Sequence, residues 1–317
     1  MADSRCGLHC TGCEYKQAQG CGGCIETQGH PFYGACPVAQ CCQDRGLSHC
    51  GQCPELPCQL LWDYSYDPVH GDAPGGSRIV QCRSWRGMEI RNFSGFCTLL
   101  LECGFSLGGE NPKGIFSLLA PGCLDQPDGS PIRPHTGDPD TDPWEWRMRV
   151  LEERQDLAYA KVFFRTSGYI ARQWYPSFFA VRRRGETLEQ AYIAGRVSRT
   201  ARKIYQLLQE NGPTPSHEIK PLCGFSKEEG RTLEPALLEL QTGMFATISG
   251  RAQKVNRQGQ PYGWNSVVFA TVEDFWQQRG LELPSLDPDK AYEDIRRQVF
   301  RLNPWAQPRK VEQFIKG

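Results

Sequence analysis

Cysteine is concentrated at one end of this 317-residue chain, where eleven of its sixteen cysteines lie between Cys6 and Cys58. Three pairs in this segment have two intervening residues: Cys10 and Cys13, Cys21 and Cys24, and Cys50 and Cys53. Two cysteines at this spacing can turn both sulfurs toward one ion, and two such pairs complete a four-thiolate zinc site. The sequence therefore predicts an N-terminal segment that folds around bound metal.

Ten of the eleven cysteines are the predicted metal ligands, and two zinc ions are the predicted cofactors. The first site takes its ligands from the first two pairs: Cys10, Cys13, Cys21 and Cys24. The second site takes its ligands from the later cysteines: Cys36, Cys41, Cys50 and Cys53. Cys6 and Cys58 compete as ligands of either site, and Cys42 is an extra thiol.

Two other uses of these cysteines are alternatives. Disulfides require an oxidising compartment, but the N-terminus lacks the apolar region of a signal peptide, so we expect a cytoplasmic protein. No apolar run approaches the ~18 residues that span a membrane, so no membrane partner is expected. The spacing Cys6-x3-Cys10-x2-Cys13 is also that of radical-SAM enzymes, which leaves an iron–sulfur cluster as an alternative cofactor. No repeating strand–helix pattern of such an enzyme follows it.

Basic residues are concentrated in the middle of the chain, although Lys plus Arg and Asp plus Glu each total 36. Residues 161–204 contain ten basic and two acidic side chains, a difference of +8. Such an excess of positive charge favours binding to a polyanion. The alternative is a basic surface that is simply solvated. Aromatic residues lie between these cations, and four of them are expected in the core: Phe163, Phe164, Trp174 and Phe178.

DNA is the predicted partner, and its predicted contacts are cations from three parts of the chain. The basic stretch contributes eight of them: Lys161, Arg172, Arg182, Arg183, Arg184, Arg199, Arg202 and Lys203. A later helix contributes Lys227 and Arg231, and a hairpin contributes Lys254 and Arg257. The pattern leaves the oligomeric state open.

Residues 198–270 have the pattern of a winged helix, with three short helices followed by a β-hairpin. Ser198 to Glu210 is the first helix, Ser216 caps a second, and Ser226 with Glu229 forms a capping box that opens the third. Pro235 should kink that third helix. Two strands are predicted over 244–248 and 266–271, with a polar, basic hairpin between them.

The predicted fold class is α+β, in three parts. Residues 1–95 form a cysteine-rich zinc-binding domain, residues 96–197 form a helical middle region, and residues 198–317 form a winged-helix domain with C-terminal helices.

The N-terminal motifs resemble a prokaryotic family of cysteine-rich domains of unknown function. They are Cys-Gly-Leu-His-Cys-Thr-Gly-Cys from Cys6, Cys-Gly-Gly-Cys from Cys21, and Cys-Gly-Gln-Cys-Pro-Glu-Leu-Pro-Cys from Cys50. The resemblance spans residues 1–95 and implies metal binding.

The remainder of the chain is similar to uncharacterised relatives of the AlkZ-type winged-helix DNA glycosylases. The similarity rests on Asp-Pro-Trp-Glu-Trp-Arg from Asp142, Ala-Tyr-Ala-Lys-Val-Phe-Phe from Ala158, Gly-Tyr-Ile-x3-Trp-Tyr-Pro from Gly168, Arg182-Arg183, and Tyr-Gly-Trp from Tyr262. It implies DNA binding and, in the characterised branch, removal of crosslinked or alkylated bases. The catalytic Gln-x-Gln or Gln-x-Asp of that branch has no counterpart here, since Gln258-Gly-Gln260 lies in the hairpin and Gln17-Ala-Gln19 among the cysteines.

These observations predict a zinc-binding, DNA-binding protein related to repair glycosylases. One alternative is an active glycosylase, in which the carboxylate of Glu145 would activate water. A structural role for Glu145, in an ion pair with Arg147 or Arg149 or as a helix cap, is the competing interpretation. Another alternative is a metal- or redox-sensing regulator whose DNA affinity follows the state of the cysteines.

Overall fold

The computed structural model describes residues 4–10, 12–72, 75–85, 90, 92–109, 113–119, 134–226, 228–256, 258–303 and 306–317. Residue contacts divide the described chain into two compact units, one up to Ile90 and one from Asn92 onward. The fold class is α+β, as predicted, with two small antiparallel sheets. None of the helices in the described part is long and apolar enough to cross a membrane.

The first unit consists of short helices separated by turns. They are α1 (Glu14–Ala18), α2 (Gly23–Glu26), α3 (Pro37–Asp44), a 3-10 turn (Cys50–Gln52), α4 (Gln59–Ser65) and α5 (Ser77–Trp85). Three of the helices begin directly after a cysteine, because Cys13, Cys36 and Cys58 are the N-cap residues of α1, α3 and α4. The cysteines therefore lie where the chain changes direction.

Cysteine also makes up most of the core of the first unit. In the described part of the unit, ten buried side chains form that core, and six of them are cysteines: Cys6, Cys24, Cys36, Cys42, Cys50 and Cys82. The other four are Val38, Ala39, Leu61 and Ile79. Aliphatic burial is therefore small for a unit of this size.

The second unit begins with a helix and a three-stranded sheet. Its first elements are α6 (Phe93–Cys103), β1 (Phe105–Leu107), α7 (Pro143–Glu153), β2 (Leu157–Phe163), β3 (Thr166–Ala171), α8 (Tyr175–Arg183) and α9 (Leu188–Ile193). The strand order is β1-β3-β2, and both pairs are antiparallel. The prediction of a helical middle region is therefore wrong for these three strands, which pair across up to about sixty-five residues of sequence, as Phe105 with Ile170 shows.

Local residues set the ends of these elements. The Asn92 side chain accepts a hydrogen bond from Gly95 N at the start of α6. Gly104 ends the helix with φ +90°, and a Cβ there would lie 2.2 Å from the Trp174 ring. Only glycine fits that position. Phe164 and Arg165 form a two-residue turn with positive φ between β2 and β3, a geometry that matches the twist of the paired strands.

Aromatic side chains fill the interior of this sheet. Phe163 and Phe178 are fully buried and pack around Phe314, so their predicted core position is confirmed. Phe164 and Trp174 are only half-buried. Their rings cover the edge of the core rather than its centre.

Residues 198–271 contain the helices and hairpin that the sequence predicted. They are α10 (Arg199–Asn211), β4 (Thr214–Pro215), α11 (Ser216–Leu222), a 3-10 turn (Glu229–Thr232), α12 (Leu233–Thr242), β5 (Ala246–Ala252) and β6 (Ser266–Thr271), with strand order β4-β6-β5. Ser198 caps α10 as predicted, by accepting a hydrogen bond from Ala201 N. Ser216 is instead the first residue of α11, after an N-cap at Pro215.

The third helix begins later than predicted, at Leu233 rather than after Ser226. Pro235 therefore lies in the first turn of α12, where a missing N–H removes no helical hydrogen bond. The reason for the predicted kink therefore does not apply to Pro235 at this position. Three further helices complete the unit: α13 (Val272–Gln277), α14 (Pro288–Leu302) and α15 (Pro308–Lys316). Both α14 and α15 pack against α8.

Candidate metal centre and nucleic-acid interface

Five cysteines of the first unit line one small cavity of ≈ 10 Å³. They come from α3, the 3-10 turn and the start of α4: Cys41, Cys42, Cys50, Cys53 and Cys58. Arg45 lies in the same wall, and its Nη1 donates to Cys53 Sγ at 3.8 Å. A cavity of this size holds about one water-sized particle. Thiolates are preferred zinc ligands, so this group has the donors for a single metal ion.

A second group of cysteines joins the N-terminal segment to the second Cys-x2-Cys pair. Cys6, Cys24 and Cys36 are all buried, and Cys24 lies close enough to both of the others to interact electrostatically. Arg5 N donates to Cys24 Sγ at 3.2 Å. Cys10 also approaches this region, since its Sγ is 3.9 Å from the position a Cβ on Gly23 would occupy.

This grouping differs from the predicted assignment of Cys36 to the later cysteines. Backbone hydrogen bonds explain the difference, because Cys36 N donates to Gly29 O and Gly29 N donates to Cys24 O, both at 2.8 Å. These bonds hold Cys36 next to Cys24. Cys58 shares the cavity with Cys53, although the sequence left it as a competing ligand.

Two cysteines that the sequence did not assign lie beside Cys50. The Sγ atoms of Cys42 and Cys50 are 3.4 Å apart, and the Cys50 thiol is hydrogen-bonded to Cys82 of α5. All three are buried. Cys82 follows Ile79 at helical spacing on the buried face of α5, which was the only sequence signal for its position.

Burial controls the protonation of several of these thiols. It raises the pKa of Cys6, Cys24 and Cys58 above the usual value. A metal cation bound to any of them must therefore displace a proton. No disulfide joins the cysteines in the described part of the chain. Within that part, no group of three or more His, Cys, Asp or Glu side chains is arranged so that it could hold a metal ion without movement of the side chains.

In the second unit, Arg182 lies inside the fold rather than on a DNA-facing surface. Its guanidinium donates to four backbone carbonyls at 2.6–3.0 Å: Val162 O, Thr242 O, Phe314 O and Ile315 O. Burial lowers its pKa to about 10, so it remains charged at neutral pH. Because these bonds occupy the guanidinium, Arg182 is not available to a phosphate.

Arg183 and Arg172 also have structural contacts that remove them from the predicted interface. Arg183 donates to Glu186 O and Met244 O and pairs with Glu273 at 3.1 Å. Arg172 donates to the carbonyls of Arg279 and Gly280. Each guanidinium joins segments that are distant in sequence. Their charges stabilise the fold.

Other predicted contacts are partly engaged by neighbouring side chains. Arg184 is exposed and pairs with Asp289 at 3.4 Å. Arg202 pairs with Glu189 at 2.8 Å, and Lys203 lies 4.9 Å from the centre of the Phe225 ring. Exposed pairs of this kind contribute little to stability and exchange readily with other anions.

The remaining predicted cations lie at the surface. Lys161, Arg199 and Arg231 are exposed, and Lys254 is half-buried at the base of the hairpin. Lys227 and Arg257 lie outside the described residues. The positive surface is thus smaller than the sequence suggested.

Glu145 has a structural partner that the sequence did not identify. It lies in the first turn of α7, and its carboxylate accepts a hydrogen bond from Arg251 Nη1 at 3.1 Å. Arg251, on β5, also pairs with Glu152 at 2.8 Å. Asp142, not Glu145, caps α7. An ion-paired carboxylate that joins α7 to β5 is not poised to activate water, so we do not retain Glu145 as a catalytic base.

The hairpin between β5 and β6 exposes large apolar side chains. Trp264 is 91% exposed, Val255 is 59% exposed and Tyr262 is 53% exposed. A bridge between Val255 and Pro261 closes the hairpin, and Tyr262 N donates to Lys254 O. Exposed aromatics on a rigid support can stack against bases. Trp264 was absent from the predicted contacts, although an aromatic residue in a polar hairpin was a signal for it.

The chain is thus an α+β protein in which a cysteine-rich unit precedes a larger unit with an aromatic hairpin. Residues 90–316 match the family described as AlkZ related, and residues 2–63 match the family described as Protein of unknown function (DUF3795). The first match covers more than half of the sequence, so the chain belongs to the AlkZ-related family. The predicted fusion is confirmed, and the family points to a relative of DNA-repair glycosylases. No curated protein and no solved structure matches the chain.

Proposed function

We propose that this chain is a zinc- and DNA-binding protein related to the DNA-repair glycosylases. The observation that carries the DNA-binding proposal is the hairpin between β5 and β6, in which Trp264 and Tyr262 are exposed and Tyr262 is hydrogen-bonded through its backbone to Lys254. Stacking against a base removes the apolar surface of such a side chain from water, which is favourable. Every base has a face on which an aromatic ring can stack. Membership of the AlkZ-related family supports the same partner.

The cysteine-rich unit would hold two zinc ions, one in each group of thiols. Cys41, Cys53 and Cys58, with Cys50, surround the cavity and supply the donors of one site. Cys6, Cys24 and Cys36, with Cys10 nearby, supply the donors of the other. Four-thiolate sites of this kind are structural, so the metal would stabilise this unit.

The segment from α10 to β6 is proposed to be a winged helix in which the hairpin, rather than the third helix, contacts DNA. Glu239 of α12 accepts a hydrogen bond from Ser198 N, and α12 buries Ala236, Leu237 and Leu240. An acidic helix with that packing is poorly suited to reading bases in a groove that phosphates line. The hairpin has no acidic residue between Ala252 and Ser266.

Replacing the exposed hairpin aromatic is the direct test of this proposal. Trp264→Ala should weaken binding to a fluorescently labelled oligonucleotide roughly tenfold or more, because stacking of one base contributes about 1–3 kcal/mol. The measurement is fluorescence anisotropy at two salt concentrations. Since stacking is less sensitive to salt than phosphate contacts are, the loss should persist at the higher concentration.

The matched control is Ile193→Ala, which removes an apolar side chain that is 78% exposed on α9. Its affinity for the oligonucleotide should equal that of the native protein. Equal binding by Trp264→Ala and Ile193→Ala would place the DNA contact away from the hairpin.

A further inference from the structure

Two buried thiols of the first unit are in direct contact. Cys42 lies in the last turn of α3, Cys50 begins the 3-10 turn that follows, and their Sγ atoms are 3.4 Å apart. The sulfur atoms of a disulfide are about 2.05 Å apart, so an approach of roughly 1.4 Å would join this pair. Only a small movement of the two side chains is therefore needed for a disulfide between them.

Cys42 is not a donor of the zinc site proposed for the cavity. The four thiolates of that site are those of Cys41, Cys50, Cys53 and Cys58. Four donors complete the coordination of a structural zinc ion, so Cys42 remains a thiol. Sulfurs that share an ion have the ion between them, whereas the sulfurs of Cys42 and Cys50 touch each other. Cys42 thus places a thiol directly against one ligand sulfur.

The cavity gives a small oxidant access to this pair. Cys42 and Cys50 both line it. Cys82, the other thiol beside Cys50, is 0% exposed and lies outside the lining of the cavity. An oxidant in the cavity therefore meets Cys42 and Cys50 rather than Cys82. Leu47 and Leu61 are part of the same wall, and apolar surface favours a neutral oxidant over a charged one. Hydrogen peroxide is a small, neutral oxidant of thiols.

We propose that Cys42 and Cys50 are a modification site, at which hydrogen peroxide forms a reversible disulfide and thereby releases zinc from the cavity site. The Cys50 thiolate attacks one peroxide oxygen, the O–O bond breaks, and the departing hydroxide takes a proton from solvent to become water. Cys42 Sγ then attacks the sulfur of the Cys50 sulfenic acid, and its thiol proton leaves with the hydroxide as a second water. The two cysteines are oxidised by two electrons, and one peroxide is reduced to two waters.

The disulfide removes one donor from the cavity site. Thiolate is the form of cysteine that binds metal, and a disulfide sulfur has lost that charge. The ion would then have three donors, so it should dissociate. The release of zinc rests on the proposed function, because it requires the cavity site to hold an ion, but formation of the disulfide requires the two thiols alone.

The test treats the full, metal-loaded chain with hydrogen peroxide and follows released zinc with a chromogenic chelator. Disulfides are mapped by mass spectrometry of a tryptic digest prepared without reductant. Cleavage after Arg45 and Arg78 places Cys42, Cys50 and Cys82 on three separate peptides. The native protein should form the Cys42–Cys50 crosslink and release about one zinc ion per chain. Dithiothreitol with added zinc should restore the original zinc content, whereas irreversible loss would indicate sulfinic acid and would overturn the proposal.

Cys42→Ser retains all four donors of the cavity site, so it should bind as much zinc as the native protein and keep it in peroxide. Cys42→Ala, which adds no polar atom to the core, should behave in the same way. The matched control is Cys82→Ser, which removes the other thiol beside Cys50 and should form the crosslink and release zinc as the native protein does.

The proposal is overturned if both Cys42 variants release zinc as fast as the native protein, or if the native crosslink joins Cys50 to Cys82. A zinc-loaded native protein that forms no Cys42–Cys50 crosslink would also overturn it and would leave the zinc site intact. A protein that holds no zinc but still forms the crosslink would support the modification site and refute the zinc site.

Discussion

Removal of metal should unfold the cysteine-rich unit and leave the second unit folded. Among the described residues, the buried aliphatic members of its core cluster are Val38, Ala39, Leu61 and Ile79, and burial of one such large side chain contributes about 1.5–3 kcal/mol. A structural zinc ion contributes roughly 10–16 kcal/mol in comparable small domains. Bound metal would therefore supply most of the folding free energy of this unit.

The measurement combines elemental analysis with methyl NMR of the full chain before and after chelation. We expect about two zinc ions per chain from the two thiol groups. After chelation, the methyl signals of Val38 and Leu61 should move to random-coil positions. Those of Ile204 and Leu208, which are fully buried in the second unit, should not move.

Cysteine substitutions separate ligands from ordinary buried thiols. Cys53→Ser should lower the zinc content to about one ion per chain, because Cys53 lines the cavity. Cys223→Ser, at a buried cysteine of the second unit, should retain both ions. If the Val38 methyl signals kept their native chemical shifts after chelation, the proposal that this unit needs metal to fold would be contradicted. Detection of iron with acid-labile sulfide, instead of zinc, would show that the unit binds an iron–sulfur cluster.

Local signals in the sequence predicted local structure well. Ser198 caps α10 because a side-chain oxygen three residues before Ala201 N satisfies an otherwise unpaired donor. The strands of the first sheet had no comparable local signal. β1 is three residues long, and its partner Ile170 lies about sixty-five residues later than Phe105. Only tertiary pairing decides that Phe105 to Leu107 is a strand.

The cysteine spacings predicted a thiol-rich unit but not the groups within it. Spacing shows which sulfurs can meet across a turn, as in the pair Cys50 and Cys53. It does not show which turns come together. Cys82 reaches Cys50 from α5, twenty-four residues after Cys58, and that approach depends on helix packing.

The basic stretch was the feature most affected by the fold. The sequence shows that Arg182 is positively charged, but it does not show whether the side chain points into the interior or toward solvent. One signal was present, because Arg182 follows Phe178 by four residues and Tyr175 by seven, and therefore lies on the apolar face of α8. A cation on that face must bury its charge against acceptors, and backbone carbonyls provide them here.

Replacement of Arg182 should cause the largest loss of stability from any single substitution in the second unit that we consider. The guanidinium connects α8 to β2, to the end of α12 and to the last turn of α15. The carbonyls of Phe314 and Ile315 lie in the last turn of α15, where Arg182 donates to both and also complements the helix dipole. Arg182→Met would leave four acceptors unsatisfied in the interior, since methionine has no donor. We expect the free energy of unfolding to fall by roughly 3–5 kcal/mol.

Urea denaturation of the full, metal-loaded chain should reveal this loss as a lower midpoint for the second unit. The fluorescence of the buried Trp146 and Trp276 monitors the unfolding of that unit. Arg182→Lys should recover only part of the stability, because a single ammonium group cannot reach four carbonyls around a planar fork. Arg184→Met, two residues later on the exposed end of the same helix, removes an equal charge and only a surface pair with Asp289. It should change the free energy of unfolding by less than about 0.5–1 kcal/mol. If Arg182→Met and Arg184→Met unfold at the same urea concentration, the four carbonyl bonds do not stabilise the unit, and Arg182 returns to the list of cations that could contact DNA.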